Sequence, residues 1–171
     1  MTAANALTLF RAAAGLPIFI ALGYGERTFA LVLFVVAASS DALDGYLARR
    51  GGTAEGHGII LDPLADKALV LLTLIALTLV GRAPLGIAAI IVVREVFVGA
   101  VRVFAYRSGL RTHAGTAAKA KTALEMGALA LLIARPTAVA ADIGAVLLTA
   151  AALIGILTLP AYLPHAKRRF T

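Results

Sequence analysis

Apolar residues fill this chain in six blocks, over residues 6–22, 28–48, 59–80, 85–106, 117–134 and 139–159. Each is close to the roughly 20 residues an α-helix needs to cross a bilayer. Gly23, Gly25, Gly51, Gly52, Gly81, Pro84, Gly109, Gly115 and Pro136 punctuate the joints between them. No repeat and no low-complexity linker interrupts the series. The pattern predicts one all-α membrane domain over residues 1–171, with six transmembrane helices. Abundant alanine and glycine suit close helix packing in lipid.

Composition supports this reading. The chain is 61% hydrophobic and only 15% charged, where a soluble domain carries about 25% charged residues. Its mean hydropathy is +0.94. With no cysteine, disulfides and thiolate metal sites are excluded. The histidines His57, His113 and His165 are too scattered for a zinc set. The first residues lack the basic region and small-residue cleavage site of a signal peptide.

The net charge of +7 raises the possibility of nucleic acid, but its distribution argues against that partner. Arg49 and Arg50 follow the second block, Arg107, Arg111, Lys119 and Lys121 surround the joint after the fourth, and Lys167, Arg168 and Arg169 end the chain. The opposite joints hold one arginine each, Arg27, Arg82 and Arg135. This bias predicts that both termini, and the ends of helices two and three that meet at residues 50–57, face the cytoplasm.

At that end sit Asp41, Asp44, Asp62 and Asp66. Four unpaired acids in a bilayer would cost on the order of 10–14 kcal/mol. Asp41 and Asp44 are spaced i, i+3, and Asp62 and Asp66 i, i+4, so each pair shares a helix face. A short turn joins the two helices, so the pairs lie at similar depth and can converge. Divalent cations with oxygen ligands would hold such carboxylates ionised. Two of them would also suit phosphoryl transfer. Gly45, Ala48 and Gly58 leave room beside the acids, and Arg49 can offer a guanidinium fork to phosphate. The plainer reading of the acids is as helix caps or solvated charges neutralised by Arg49, Arg50 and Lys67.

These residues resemble the CDP-alcohol phosphotransferase family, whose signature is D-x2-D-G-x2-A-R-x8-G-x3-D-x3-D. Asp41, Asp44, Gly45, Ala48, Arg49, Gly58, Asp62 and Asp66 fill every fixed position at the right spacing. The resemblance implies six helices around a cytoplasm-facing polar cavity, and transfer of a phosphatidyl group from a CDP-lipid to an alcohol with release of CMP. It implies Asp41, Asp44, Asp62 and Asp66 as ligands of two divalent ions, Mg2+ or Mn2+, and Asp66 as general base. Gly45, Ala48, Arg49 and Gly58 would line the CDP site. Further segments, N-A-L-T-L-F-R, D-P-L-A-D-K, R-E-V-F-V-G-A-V-R and K-A-K-T, resemble bacterial phosphatidylglycerophosphate synthases, so the likeness covers residues 5–122. Ala118 departs from it, where a glycine often precedes the last segment. Homodimers are common in the family, and the setting it implies is a bacterial inner membrane.

Arg94 and Arg102 are eight residues apart on the fourth helix, and Lys119 and Lys121 enter the fifth. Intramembrane cations face the bundle interior, so these four form a candidate pocket for a phosphorylated acceptor, with glycerol 3-phosphate fitting best. The alternatives are a salt bridge, such as Arg94 with Glu125 or Glu95, and snorkelling to the headgroups. Asn5, Thr8 and Arg11 form a polar stripe on the first helix. It reads as an interfacial entry or, through Asn5 and Thr8, as part of the CDP-lipid site. Inositol phosphate and phosphatidylglycerol are the alternative acceptors. A divalent-cation transporter is the alternative from a different class.

Overall fold

The computed structural model describes residues 3–51, 58–107 and 116–162, with side chains at 10, 11, 13–40, 67–105 and 116–160. The described residues form six α-helices: α1 (Ala3–Gly23), α2 (Arg27–Gly51), α3 (Gly58–Leu79), α4 (Leu85–Arg107), α5 (Thr116–Ala134) and α6 (Ala138–Leu157), then a 3-10 turn, Leu159–Tyr162. Among them there is no strand.

The helices stop where the chain chemistry requires. Gly25 and Gly81 adopt φ of +83° and +69°, the left-handed region that favours glycine. Each closes the preceding helix in the same way. Gly25 N donates to Leu22 O at 3.2 Å and Glu26 N to Ala21 O at 2.8 Å; Gly81 N donates to Thr78 O at 3.1 Å and Arg82 N to Leu77 O at 2.7 Å. Pro136 follows the end of α5, and Thr137 caps α6 by accepting from Ala140 N at 3.1 Å. The sequence predicts that the last helix runs to 159. Instead Thr158 is its C-cap, and Pro160, which has no N–H to continue the ladder, sits in the 3-10 turn.

α1 packs on α2 and α3, and α5 packs on α6. Contacts of α5 with α2 and α3, and of α4 with α3 and α6, join the two groups. The apolar core contains Ile18, Phe34, Leu69, Leu74, Leu77, Leu129, Leu132, Ile133 and Leu148. Small residues set the closest approaches. A Cβ at Gly144 would lie 3.0 Å from Leu132 Cγ across the α5–α6 contact. A Cβ at Gly15 would lie 2.7 Å from Leu72 Cδ1 across α1–α3.

Much of the outer surface is apolar. Phe29, Val32, Val35 and Val36 on α2 are exposed, as are Val93, Val96, Phe97 and Phe104 on α4 and Val139, Ile143, Val146, Leu153 and Ile156 on α6. Contiguous apolar faces of this extent mark a surface that meets lipid or another chain. Only α6, Ala138–Leu157, is long and apolar enough by itself to cross a bilayer, among the described residues. Charges break the runs of α4 at Arg94, Glu95 and Arg102, and of α5 at Lys119, Lys121 and Glu125.

One end of the bundle gathers Arg27, Arg82 and Arg135. Arg82 donates from Nη1 to Ile133 O at 3.1 Å, tying the α3–α4 turn to the end of α5. Burial lowers the pKa of Arg82, and the charges of Arg27 and Arg135 lower it further.

Candidate active site

The signature residues fall on two helices. Asp41, Asp44, Gly45, Ala48 and Arg49 lie in the second half of α2, while Gly58 opens α3 and Asp62 and Asp66 follow in its first turns. The backbone is helical through both stretches, so each aspartate pair is about one turn apart. The side chains of all these residues, and of Asn5 and Thr8 on α1, lie outside the described residues. Their neighbours indicate a polar interior on this side of the bundle. Arg11 is 1% exposed, Ser40, beside Asp41, is buried, and Lys67, beside Asp66, is largely buried. Carboxylates without thiolate or paired imidazole form an oxygen-only donor set, which fits Mg2+ or Mn2+. Among the described residues, no three His, Cys, Asp or Glu side chains are grouped to hold a metal. The side chains of the four aspartates are not among these residues.

Described side chains do converge on one cavity. Lys67, Arg94, Glu95, Val98, Arg102, Lys121 and Glu125 line a cavity of about 260 Å3 between α3, α4 and α5. Its organising residue is Glu95, which is buried. The Oε1 atom of Glu95 pairs with both Arg94 and Lys121. Its Oε2 pairs with Lys67 Nζ at 3.1 Å. Lys67 also donates to the backbone carbonyl of Glu95 at 2.9 Å. Lys121 pairs in turn with Glu125 Oε1 at 2.7 Å, one helical turn along α5. Removing one member of such a buried group leaves an uncompensated charge, the costly event in ion-pair energetics.

The sequence-predicted acceptor residues separate here. Arg94, Arg102 and Lys121 line this cavity, whereas Lys119 is exposed and does not. Arg94 is also committed elsewhere: Nε donates to Gly155 O at 3.3 Å and Nη2 to Thr158 Oγ1 at 3.1 Å. Its ion pair is with Glu95 beside it, and Glu125 instead takes Lys121, at i, i+4. The central place of Glu95 escapes sequence reasoning. An R-E pair inside an apolar helix suggests only a local bridge, and the partners on α3 and α5 are 28 and 26 residues away.

Comparison with known proteins gives the same outline. The sequence model of one family, described as CDP-alcohol phosphatidyltransferase, matches residues 1–157. A Mycobacterium tuberculosis protein named "Probable phosphatidylglycerophosphate synthase" is 35% identical over 175 residues, covering 96% of this chain and 81% of that one. The CDP-diacylglycerol–glycerol-3-phosphate 3-phosphatidyltransferase of Pseudomonas fluorescens is 39% identical over 148 residues, covering 81% and 75%. The Escherichia coli protein of the same name is 33% identical over 172 residues, covering 94% and 92%. The matched region spans both aspartate pairs and the basic cavity, and this chain belongs to the CDP-alcohol phosphatidyltransferase family.

Proposed function

We propose that this chain transfers the phosphatidyl group of CDP-diacylglycerol to glycerol 3-phosphate, releasing CMP, in phospholipid biosynthesis. Membership of a transferase family decides against the cation carrier. The cavity on α3, α4 and α5 is the observation that carries the acceptor assignment. Among the described residues it brings Lys67, Arg94, Arg102 and Lys121 together with Glu95 and Glu125, four cations to two anions. Lys67, the residue after Asp66, is part of its lining. A small phosphorylated polyol held there by its phosphate would have its hydroxyl near that aspartate. The names of the bacterial relatives support the same pair of substrates.

The family is generally divalent-metal dependent. Asp41, Asp44, Asp62 and Asp66 would hold two such ions, Mg2+ or Mn2+, which when bound would neutralise the pyrophosphate and the charge developing on phosphorus. Arg49 would hold phosphate oxygens, with Gly45, Ala48 and Gly58 leaving space for the nucleotide. Asn5 and Thr8 would contribute from α1. Asp66 would take the acceptor hydroxyl proton as its oxygen bonds to the β-phosphorus and the bond to the CMP oxygen breaks. Arg102 and Lys121 would hold the acceptor phosphate. Arg94 would hold Glu95 and α6 in place behind them, and Lys119 would draw anions to the entrance.

All six helices would cross a bacterial inner membrane, with the aspartate end and both termini in the cytoplasm. The exposed apolar faces of α2, α4 and α6 support this, as does the grouping of Arg27, Arg82 and Arg135, one per connection, at the other end. A homodimer belongs to the same proposal. The deciding experiment is turnover by the purified protein with CDP-diacylglycerol and Mg2+ against glycerol 3-phosphate, inositol phosphate, inositol, serine and phosphatidylglycerol. CMP release with glycerol 3-phosphate alone is expected; preference for another alcohol would reassign the acceptor.

A further inference from the structure

We infer that Glu95 is a positioning residue that sets the geometry of the acceptor cavity relative to the Asp66 turn. The inference rests on the acceptor reading above. Glu95 lines the cavity and is joined to the Asp66 turn through Lys67. Lys67 follows Asp66 on α3 and is tied to Glu95 twice, through the carboxylate at 3.1 Å and the backbone carbonyl at 2.9 Å. The same carboxylate holds Lys121 of α5 at the cavity wall. A slot in α4 admits the Lys67 ammonium: a Cβ at Gly99, one turn beyond Glu95, would lie 3.3 Å from Nζ. Two ammonium groups from separate helices therefore meet on one rigid anion. Without it they repel each other, and a phosphate arriving between them must organise them itself. Glu95 thus fixes the distance between the cations that take the phosphate and the turn that carries the proposed base.

Simple charge offset by Glu95 makes the opposite prediction. Removing an anion from a phosphate pocket would then tighten acceptor binding. The test is steady-state kinetics of Glu95→Gln and Glu95→Asp, each substrate varied separately, with thermal unfolding in detergent alongside. Glu95→Gln is expected to raise the acceptor KM about tenfold or more, the scale of one lost charge-assisted hydrogen bond, with the CDP-diacylglycerol KM within about twofold. Glu95→Asp keeps the charge but draws it back by one methylene. It is expected to raise the acceptor KM in the same direction, and it serves alone if the Gln variant does not fold. An acceptor KM that is unchanged or lowered in a folded variant, or equal rises for both substrates, would overturn the role of Glu95 only. A wild-type protein that turns over CDP-diacylglycerol with no phosphorylated alcohol would overturn the acceptor reading itself.

Discussion

Arg94 reaches α6 where Gly155 has no side chain. Its Nε donates to the Gly155 carbonyl at 3.3 Å, and a Cβ on that glycine would stand 3.4 Å from the same nitrogen. The guanidinium thus joins α4 to the last turn of α6 and holds Glu95 from behind. Two helices whose facing surfaces are otherwise apolar acquire a fixed register from this contact.

The first prediction concerns that contact. Arg94→Ala leaves Glu95 short of one cation and removes the bonds to Gly155 and Thr158, so it should destabilise the protein by about 3 kcal/mol. Arg94→Lys should recover little, because an ammonium cannot reproduce the planar fork. Gly155→Leu should lower the unfolding temperature by overpacking the same space. Thermal unfolding of the purified variants checks all three. Unchanged midpoints would mean that the α4–α6 bridge contributes little.

Arg102, Lys121 and Lys119 should respond differently to mutation. Arg102→Ala is expected to raise the acceptor KM about tenfold or more. Lys121→Ala should raise it as well and should destabilise the fold by about 3 kcal/mol, because buried Glu125 loses its ion-pair partner. Lys119→Ala, at an exposed position, should change the acceptor KM less than either. Kinetics with each substrate varied in turn, beside unfolding curves, separates the three outcomes.

Metal dependence should map onto the signature. Chelation should abolish CMP release, and added Mg2+ or Mn2+ should restore it. Asp41→Asn, Asp44→Asn and Asp62→Asn should each lower turnover by about 100-fold or more, as loss of a group that stabilises developing charge does. Asp66→Asn removes the proposed base as well and should cost about 100- to 10,000-fold. Direct metal binding, followed by isothermal titration, should weaken in the same variants. Activity without divalent ions would remove the basis for assigning these residues.

A final prediction tests packing away from the chemistry. Gly144→Leu should overpack the α5–α6 contact, where a Cβ alone would meet Leu132 Cγ at 3.0 Å, and cost about 1–3 kcal/mol. Thr137→Ala should cost about 1 kcal/mol through loss of the α6 cap. In folded protein, the KM for either substrate should not move.

The residue pattern alone determined the helix content, the helix boundaries to within a few positions, and the family. These features are local. An apolar block of bilayer length, a glycine at a left-handed helix stop, and eight residues at set spacing are all written along the chain. Gly25, Gly81 and Pro136 mark their joints because each changes what the backbone at that position can do. The basic residues were legible only as a set. Arg94, Arg102, Lys119 and Lys121 look alike in a one-dimensional pattern, each a cation near an apolar run. Tertiary packing told them apart by bringing Glu95 of α4 against Lys67 of α3 and Lys121 of α5, leaving Lys119 at the surface, and turning Arg94 toward Gly155 of α6. An ion pair depends on where side chains from distant helices meet, and no spacing along one helix specifies that meeting.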